Sequence, residues 1–322
     1  MMRRTASILL SVLVLIVLAF LCSCELSMQA PHRGKVHILV YGNDYFWATP
    51  SLRYLSATVD DAVQVGKALA ALCEKQGMVK DVDYDVMFIF GSAAHPEYDD
   101  IPASDRSNDV TGTRLLGELD RIAGISEDGD MTFLYLSGHG DSEYKSKVEY
   151  GTDTASKACF ATKKYYDSQS KAYELVPVST LMEHVEAIRG SKVVFSDFCY
   201  SGAFVQAGYV TVTGSEYKEL TALELYALRS EIRESPSSFY LSASRYYEIS
   251  EESGAIGHGY FTKALLEALG WNETTGTIIN GGALKNGKMS FFDVANYVMR
   301  NDEAPQTPMY SGGSNDIILF SF

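Results

Sequence analysis

The sequence predicts an α/β fold, a three-layer sandwich in which helices cover both faces of a mainly parallel, six-stranded sheet. Three observations lead to this prediction. Short apolar runs alternate along the chain with longer segments of helical periodicity, and strand–helix–strand order favours parallel strands. Most of the runs are apolar throughout, as strands buried on both faces must be. The 322 residues, of which 46% are hydrophobic and 21% charged, are enough for one large core.

The elements follow one another in a regular order. Strands are predicted at 36–41, 86–90, 131–136, 193–198, 239–243 and 317–322, and helices at about 58–73, 113–123, 180–189, 259–270 and 291–300. Thr180 and Glu183 have the spacing of a capping box, and so do Ser290 and Asp293. Segments 141–176 and 205–236 interrupt the alternation, but neither has the composition of a linker. We therefore predict one domain over 36–322.

The first 35 residues are set apart from this domain. Arg3 and Arg4 precede an apolar run at 8–21, which is typical of a secretory signal. The sequence Leu21-Cys22-Ser23-Cys24 resembles the bacterial lipobox, which implies a signal peptide over 1–23 and acylation of Cys24. Residues 24–35 would then be a tether to the membrane of a bacterial cell envelope, because two or more acyl chains anchor a protein stably. Plain secretion, with Cys24 unmodified, is the alternative.

Charge and cysteine content exclude several classes of function. A net charge of −14 disfavours nucleic acid as a partner but not basic substrates. If Cys24 is lipidated, the odd set Cys73, Cys159 and Cys199 is left in the exported chain, so a disulfide scaffold is not expected and one thiol is expected to be free. Cys73 lies on an apolar helical face and is predicted to be core packing, and Cys159 has no partner motif. No cofactor is implied.

Cys199 and His139 stand out because each lies in the short segment into which a predicted buried strand runs: Cys199 directly follows its strand, and His139 is the third residue after its own. The carboxyl ends of parallel strands meet at one edge of a sheet, so the two side chains can face each other if their strands are neighbours. A thiol beside an imidazole is the minimum apparatus for cysteine nucleophilic catalysis. The Gly140 and Cys199 amides could stabilise an oxyanion. The remaining histidines are expected to have no chemical role: His32, His37, His95, His184 and His258.

Two sequence motifs resemble a known family. Tyr135-Leu-Ser-Gly-His-Gly140 and Asp197-Phe-Cys-Tyr-Ser-Gly202 are similar to the two signature loops of the caspase-like cysteine peptidases, in their bacterial and metacaspase branch. Further similar segments lie at 55–62, 242–244, 257–266 and 306–308, so the resemblance covers about 36–322. It implies the caspase-like α/β/α sandwich, with Cys199 as the nucleophile, His139 as its acid–base partner, and the Gly140 and Cys199 amides as the oxyanion hole.

The resemblance also implies a substrate preference. Metacaspases hold Arg or Lys before the cleaved bond with acidic residues, and Asp197 and Asp61 occupy the matching positions, although Asp60 could be the aligned acid instead. Paired carboxylates in a confined pocket select cations. Each acid also has a purely structural explanation. Asp61 could complement the positive end of a helix dipole, and Asp197 could belong to a turn at the end of its strand. Ser242 and Ser244 are expected to contact an extended peptide through their backbone.

The sequence thus predicts a lipid-anchored cysteine endopeptidase with peptide or protein substrates. Two alternatives stay open: a peptidase of the same fold with Asp or Asn specificity, and a catalytically silent envelope lipoprotein that binds a partner. Basic residues at 205–236 match a self-cleavage preference: Lys218, Arg229 and Arg233. Some metacaspases require calcium, but one acidic run has no recognised ligand spacing, and no metal site is assigned to it: Asp99, Asp100, Asp105 and Asp109.

Overall fold

A computed structural model describes residues 34–48, 52–91, 95–142, 157–164, 172–206, 238–312 and 316–322. All of them belong to one compact unit, Gly34–Phe322. Within these ranges no helix combines the length and apolar character needed to cross a bilayer. The predicted signal peptide, the lipidation site Cys24, and the basic residues Lys218, Arg229 and Arg233 lie outside the described residues.

The described residues form seventeen strands and six α-helices. The strands are β1 (Val36–Gly42), β2 (Tyr84–Phe90), β3 (Arg106–Ser107), β4 (Met131–Ser137), β5 (Gly140–Ser142), β6 (Ala158–Lys163), β7 (Tyr173–Pro177), β8 (Ser191–Asp197), β9 (Ser238–Ser242), β10 (Glu252–Ser253), β11 (His258–Gly259), β12 (Trp271–Asn272), β13 (Thr277–Ile278), β14 (Leu284–Lys285), β15 (Lys288–Ser290), β16 (Met309–Ser311) and β17 (Ile318–Ser321). The α-helices are α1 (Thr58–Lys75), α2 (Gly112–Ile125), α3 (Val178–Ala187), α4 (Ala203–Gln206), α5 (Tyr260–Leu269) and α6 (Phe291–Asn301).

The central sheet has seven strands in the order β16-β9-β8-β4-β1-β2-β3. The strands from β9 to β3 are parallel, and β16 is antiparallel at one edge. Smaller antiparallel sheets, β5-β6-β7 and β14-β15-β17, flank it. The predicted mainly parallel α/β class is confirmed. Because β4 and β8 are direct neighbours, everything that follows their carboxyl ends meets at one edge.

Helices cover both faces of this sheet, which makes three layers. Alternate residues of one strand enter opposite cores: Ile38 belongs to the core that α1, α5 and α6 share, whereas Leu39 belongs to the core that α2 and α3 share. Phe133 and Leu134 alternate in the same way in β4. All seven residues of β1 are buried, which accounts for the continuous apolar run in the sequence.

Two elements differ from the sequence prediction. The predicted sixth strand at 317–322 forms β17, which pairs with β15 outside the central sheet. The central sheet is completed instead by β3 and β16, which are too short to carry a periodic signal. Helix α3 begins at Val178 behind Pro177, without the side-chain cap predicted from Thr180 and Glu183. Because the helix begins at Val178, Thr180 is already its third residue and does not occupy the N-cap position from which its hydroxyl would accept a hydrogen bond. At α6 the Ser290 hydroxyl accepts from the Asp293 amide at 3.2 Å, which is the N-cap half of the predicted box.

Candidate active site

The candidate site lies where β4 and β8 end. Ser137 and Asp197 are paired in register at the last position of these strands, and the Gly138 amide donates to the Asp197 carbonyl at 3.3 Å. His139 and Cys199 lie two residues beyond the ends of these strands, and both are half-buried and line one cleft of about 430 Å³. The structure therefore brings the predicted thiol and imidazole to a single cavity.

Two neighbours hold His139, one at its imidazole ring and one at its backbone amide. Its Nε2 lies 2.7 Å from the backbone carbonyl oxygen of Arg53, and its backbone amide donates to the Tyr45 hydroxyl at 2.8 Å. A carbonyl oxygen only accepts hydrogen bonds, so Nε2 carries the hydrogen and Nδ1 is the basic nitrogen of the neutral ring. Burial lowers the pKa of His139, against the opposing effect of the Arg53 carbonyl. The ring is therefore neutral at pH 7.

Tyr45 was missed from the sequence, although it follows β1 at the same edge of the sheet. Its ring centre lies 4.6 Å from that of His139, and its hydroxyl donates to the Ala161 carbonyl at 2.7 Å. Tyr45 adopts a positive φ of 59°, which is unusual for a residue other than glycine. The only available signal was that β1, like β4 and β8, ends at the ligand-binding edge.

The Cys199 sulfur is surrounded by backbone amides. The Ser250 amide donates to the sulfur at 3.4 Å, and the Gly140 and Cys199 amides are near enough to lower the pKa of the thiol. Burial raises the pKa of the thiol, and these three amides oppose that rise. The resting thiol is thus neutral, and the donors around it favour negative charge that forms at this point.

Glycine is required at position 140 because the two loops touch. A Cβ on Gly140 would overlap the carbonyl oxygen of Cys199 and approach the Phe198 ring. The close approach is also what allows the Gly140 amide to reach the sulfur. Tyr200 then turns the chain with a positive φ of 66°, and its amide donates to the Glu248 carbonyl at 2.8 Å.

Asp61 and Asp197 line the same cleft, and both are almost fully buried, at 1% and 5% exposure. Asp197 accepts hydrogen bonds from the Ser250 and Thr262 hydroxyls, each at 2.6 Å. Burial raises the pKa of Asp197 to about 6, although these two hydrogen bonds lower it. Asp61 repels Asp197, and burial together with this repulsion raises the pKa of Asp61. The predicted pair of acids is therefore assembled at one place.

Two further residues shape this acidic pocket. The Gly259 amide donates to Asp61 at 3.1 Å, and a side chain at Gly259 would overlap the Asp197 carboxylate. His258 donates from Nδ1 to Asp61 at 2.6 Å. Burial works to lower the pKa of His258, but the hydrogen bond to Asp61 and the negative charges of Asp61, Glu273 and Asp60 together outweigh it and raise the pKa to about 9. Contrary to the sequence expectation, His258 thus contacts a predicted site residue.

Asp60, the alternative acid, has other partners. It accepts hydrogen bonds from the Tyr98 hydroxyl and from the Gln64 amide, and it does not line the cleft. The atoms of Asp60, His258 and Glu273 lie within 4.8 Å of one another, but hydrogen bonds already engage each of them. We therefore assign no metal to them. Three acids of the run at 99–105 form ion pairs with basic side chains: Asp99 with Arg106, Asp100 with Lys67, and Asp105 with Lys80.

The two predicted peptide-binding serines lie deeper than the cleft. Ser242 pairs with Ser196 in β8 on one side and with Met309 in β16 on the other, so both edges of its backbone are used within the sheet. Ser244 lies beyond the end of β9, and its buried hydroxyl donates to the Phe198 carbonyl at 3.4 Å. Ser244 therefore lies outside the strand pairing of β9, whereas Ser242 lies within it.

Comparisons with known proteins agree with this architecture. The family model of the caspase domain (Peptidase_C14) matches residues 36–312. In solved structures, the chain is similar to protein GSU0716 from Geobacter sulfurreducens, with 16% identity, a TM-score of 0.50, and coverage of 86% of this chain and 92% of that one. It is also similar to caspase-1 from Spodoptera frugiperda, with 11% identity, a TM-score of 0.49 and 92% coverage of both chains. No curated protein sequence matches the chain.

Proposed function

The chain belongs to the caspase domain family, and from that premise we propose that it is a cysteine endopeptidase that cleaves after Arg or Lys. One observation carries the proposal. A thiol, an imidazole of fixed tautomer and two buried carboxylates line a single cleft. The thiol and the imidazole supply the chemistry, and the carboxylates supply the selection of a basic side chain.

The first half of the reaction forms an acyl-enzyme. Nδ1 of His139 takes the thiol proton as the Cys199 sulfur attacks the carbonyl carbon of the scissile bond. The carbonyl oxygen becomes an oxyanion, which the Gly140 and Cys199 amides stabilise by hydrogen bonds. The intermediate collapses when the imidazolium gives its proton to the leaving amine. The carbon–nitrogen bond breaks, and the acyl group stays on sulfur as a thioester.

The second half regenerates the enzyme. His139, neutral again, takes a proton from a water molecule that attacks the thioester carbon. The same two amides stabilise the second oxyanion. Its collapse releases the carboxylic acid product, and the sulfur recovers its proton from the imidazolium. The neutral resting state of both groups suits this cycle, because the proton moves between them only when substrate is present.

Specificity for a basic side chain follows from the acidic end of the cleft. Asp197 and Asp61 are buried where water does not compete for them, so a guanidinium or ammonium group gains charge-assisted hydrogen bonds there. An aspartate side chain in the same place would meet the negative charge of Asp197 instead of a cation-binding partner, because Asp61 is already paired with His258. This charge arrangement favours the Arg or Lys preference over the Asp alternative.

We further propose that the enzyme is exported and anchored to the membrane of the cell envelope through acylated Cys24. The support is the sequence Leu21-Cys22-Ser23-Cys24 after a charged and then apolar leader. Metabolic labelling with a fatty acid tests the anchor. Wild type is expected to incorporate the label, and Cys24→Ala is not. Label in the variant would contradict lipidation at this residue.

Hydrolysis of peptide reporters tests the enzymatic proposal. Reporters that differ only in Arg, Lys, Gln or Asp before the cleaved bond are compared with wild type, Cys199→Ala and His139→Ala. We expect cleavage after Arg and Lys by wild type and at least about 100-fold loss in each variant, since nucleophile and base act as one unit. Cys159→Ala is the matched control. Retained cleavage in Cys199→Ala would refute the proposal.

A further inference from the structure

Glu252, on strand β10, makes a contact across the cleft that the proposed mechanism does not use. Its two carboxylate oxygens accept hydrogen bonds from the backbone amides of Ser56 and Ala57, each at 3.1 Å. These amides directly precede helix α1, and the N-cap residue Ala57 has no side-chain hydrogen bond of its own to offer. The carboxylate therefore supplies, from a distant part of the chain, the acceptor and the negative charge that a helix start requires.

The segment that Glu252 holds is the one that orients the imidazole. Arg53, three residues before Ser56, presents the carbonyl oxygen that lies 2.7 Å from Nε2 of His139. The amide of Leu55, between them, donates to the Asp44 carbonyl at 2.9 Å, so the segment is tied from both sides. If the Ser56 and Ala57 amides lose their acceptor, the Arg53 carbonyl loses its support on one side.

Glu252 is also close enough to act on the imidazole by charge. The groups that face His139 are Tyr45 from the loop after β1, Arg53 from the segment before α1, Cys199 after β8 and Glu252 from β10. Three more acids line the same cleft: Asp61, Asp197 and Glu251. Burial lowers the pKa of His139, whereas the negative charge of Glu252 raises it and the positive charge of Arg53 lowers it.

We propose that Glu252 is the positioning residue of the acid–base histidine: through the Ser56 and Ala57 amides it fixes the Arg53 carbonyl that selects the tautomer of His139. The inference rests on the proposed pairing of His139 with Cys199. Because β10 pairs Glu252 with Gly259, the same residue joins the orienting segment to the acidic pocket. The carboxylate of Glu252 thereby holds the segment that orients the imidazole, while its backbone pairs with a residue of the acidic pocket.

Glu252→Gln tests the proposal, because glutamine is nearly isosteric but has one acceptor oxygen and no charge. The rate constant for alkylation of Cys199 by iodoacetamide is measured against pH in wild type, in Glu252→Gln and in the exposed control Glu303→Gln. We expect a plateau about tenfold lower in Glu252→Gln, the size that loss of a charge-assisted hydrogen bond gives. Its acid limb should move to lower pH, since removal of the negative charge lowers the pKa of His139. The control should match wild type.

A second measurement separates positioning from general loosening of the fold. Nitrogen-15 NMR of labelled histidine reports which ring nitrogen of His139 carries the hydrogen, with His139→Gln used for assignment. Wild type is expected to show Nε2–H alone and Glu252→Gln a mixture of tautomers. An unmoved acid limb, or a tautomer unchanged in Glu252→Gln, would overturn the proposal even if the variant melts earlier. Neither readout needs hydrolysis, so wild type that cleaves no peptide would refute the proposed peptidase and still leave Glu252 tested.

Discussion

The Nε2 atom of His139 lies 2.7 Å from the backbone carbonyl oxygen of Arg53, a residue 86 positions earlier in the chain. This contact fixes the tautomer of the neutral ring, because the carbonyl can only accept and so Nε2 must donate. It leaves Nδ1 as the one nitrogen that can take a proton from Cys199. A backbone group, which no side-chain substitution removes, thus defines the direction of proton transfer in the proposed reaction.

The two pocket acids are expected to determine selectivity separately from the thiol chemistry. In Asp61→Asn and Asp197→Asn, kcat/KM for reporters with Arg should fall about 10- to 100-fold, the loss expected for a charge-assisted hydrogen bond. Alkylation of Cys199 by the neutral reagent iodoacetamide should change little. Asp128→Asn, at a surface position with an 86% exposed side chain, is the control. Equal loss on reporters with Arg and with Gln would show that the acids do not select charge.

The affinity for basic substrates should depend on pH through Asp197. Burial raises the pKa of its carboxyl to about 6. Below that pH the group becomes neutral and the pocket loses a negative charge, so KM for an Arg reporter should rise as the pH falls from 7 to 5. The same titration with a Gln reporter is the comparison, and its KM should stay nearly constant. A parallel rise for both reporters would contradict the assignment of this carboxyl to the pocket.

Gly140→Ala is expected to damage both the fold and the catalytic site. The added Cβ would overlap the Cys199 carbonyl oxygen, and backbone cannot retreat as a flexible side chain can. The free energy of unfolding should fall by about 1–3 kcal/mol, typical of overpacking, and alkylation of Cys199 should slow. Gly124→Ala in helix α2 is a matched control, because nothing lies within 4 Å of its new Cβ. If Gly140→Ala behaved like Gly124→Ala, the loops that carry Gly140 and Cys199 would have to lie farther apart than described.

Tyr45→Phe removes the hydroxyl that bridges the His139 amide and the Ala161 carbonyl. Because both partners would be left buried without it, the free energy of unfolding should fall by about 1–3 kcal/mol. kcat should fall as well, with little change in KM, since the hydroxyl supports the imidazole loop and not the acidic pocket. Chemical denaturation and reporter kinetics measure the two effects. Tyr173→Phe, at a residue 40% exposed, is the control, and equal behaviour of the two variants would count against this role.

Much of the fold could be predicted because its sheet is buried on both faces. The strands at β1, β4 and β8 read as continuous apolar runs, and the residues directly after two of them led to His139 and Cys199. By contrast, β3 and β16 are two and three residues long and gave no periodic signal. The sequence could not show that β4 and β8 are neighbours, which is the fact that brings the thiol and the imidazole to one cleft.

The surroundings of the pocket acids were beyond sequence reasoning for a different reason. His258 lies 197 positions from Asp61, and Ser250 lies 53 positions from Asp197, so no local pattern connects either pair. Such contacts depend on how β10, β11 and α5 pack against the sheet edge. From the sequence alone, His258 was expected to have no chemical role. The motif resemblance, which supplied both acids, could not supply the partners that determine their charge.

Labelling by a peptidyl chloromethyl ketone tests the central claim most directly, because the reagent needs the activated thiol and the acidic pocket at once. Intact-mass and peptide analysis after treatment with an Arg reagent should show one equivalent on Cys199 and none on Cys73 or Cys159. An otherwise identical Asp reagent should react at least about tenfold more slowly, given the repulsion by Asp197. Labelling that is equally fast with both reagents, or that falls on Cys159, would contradict the account.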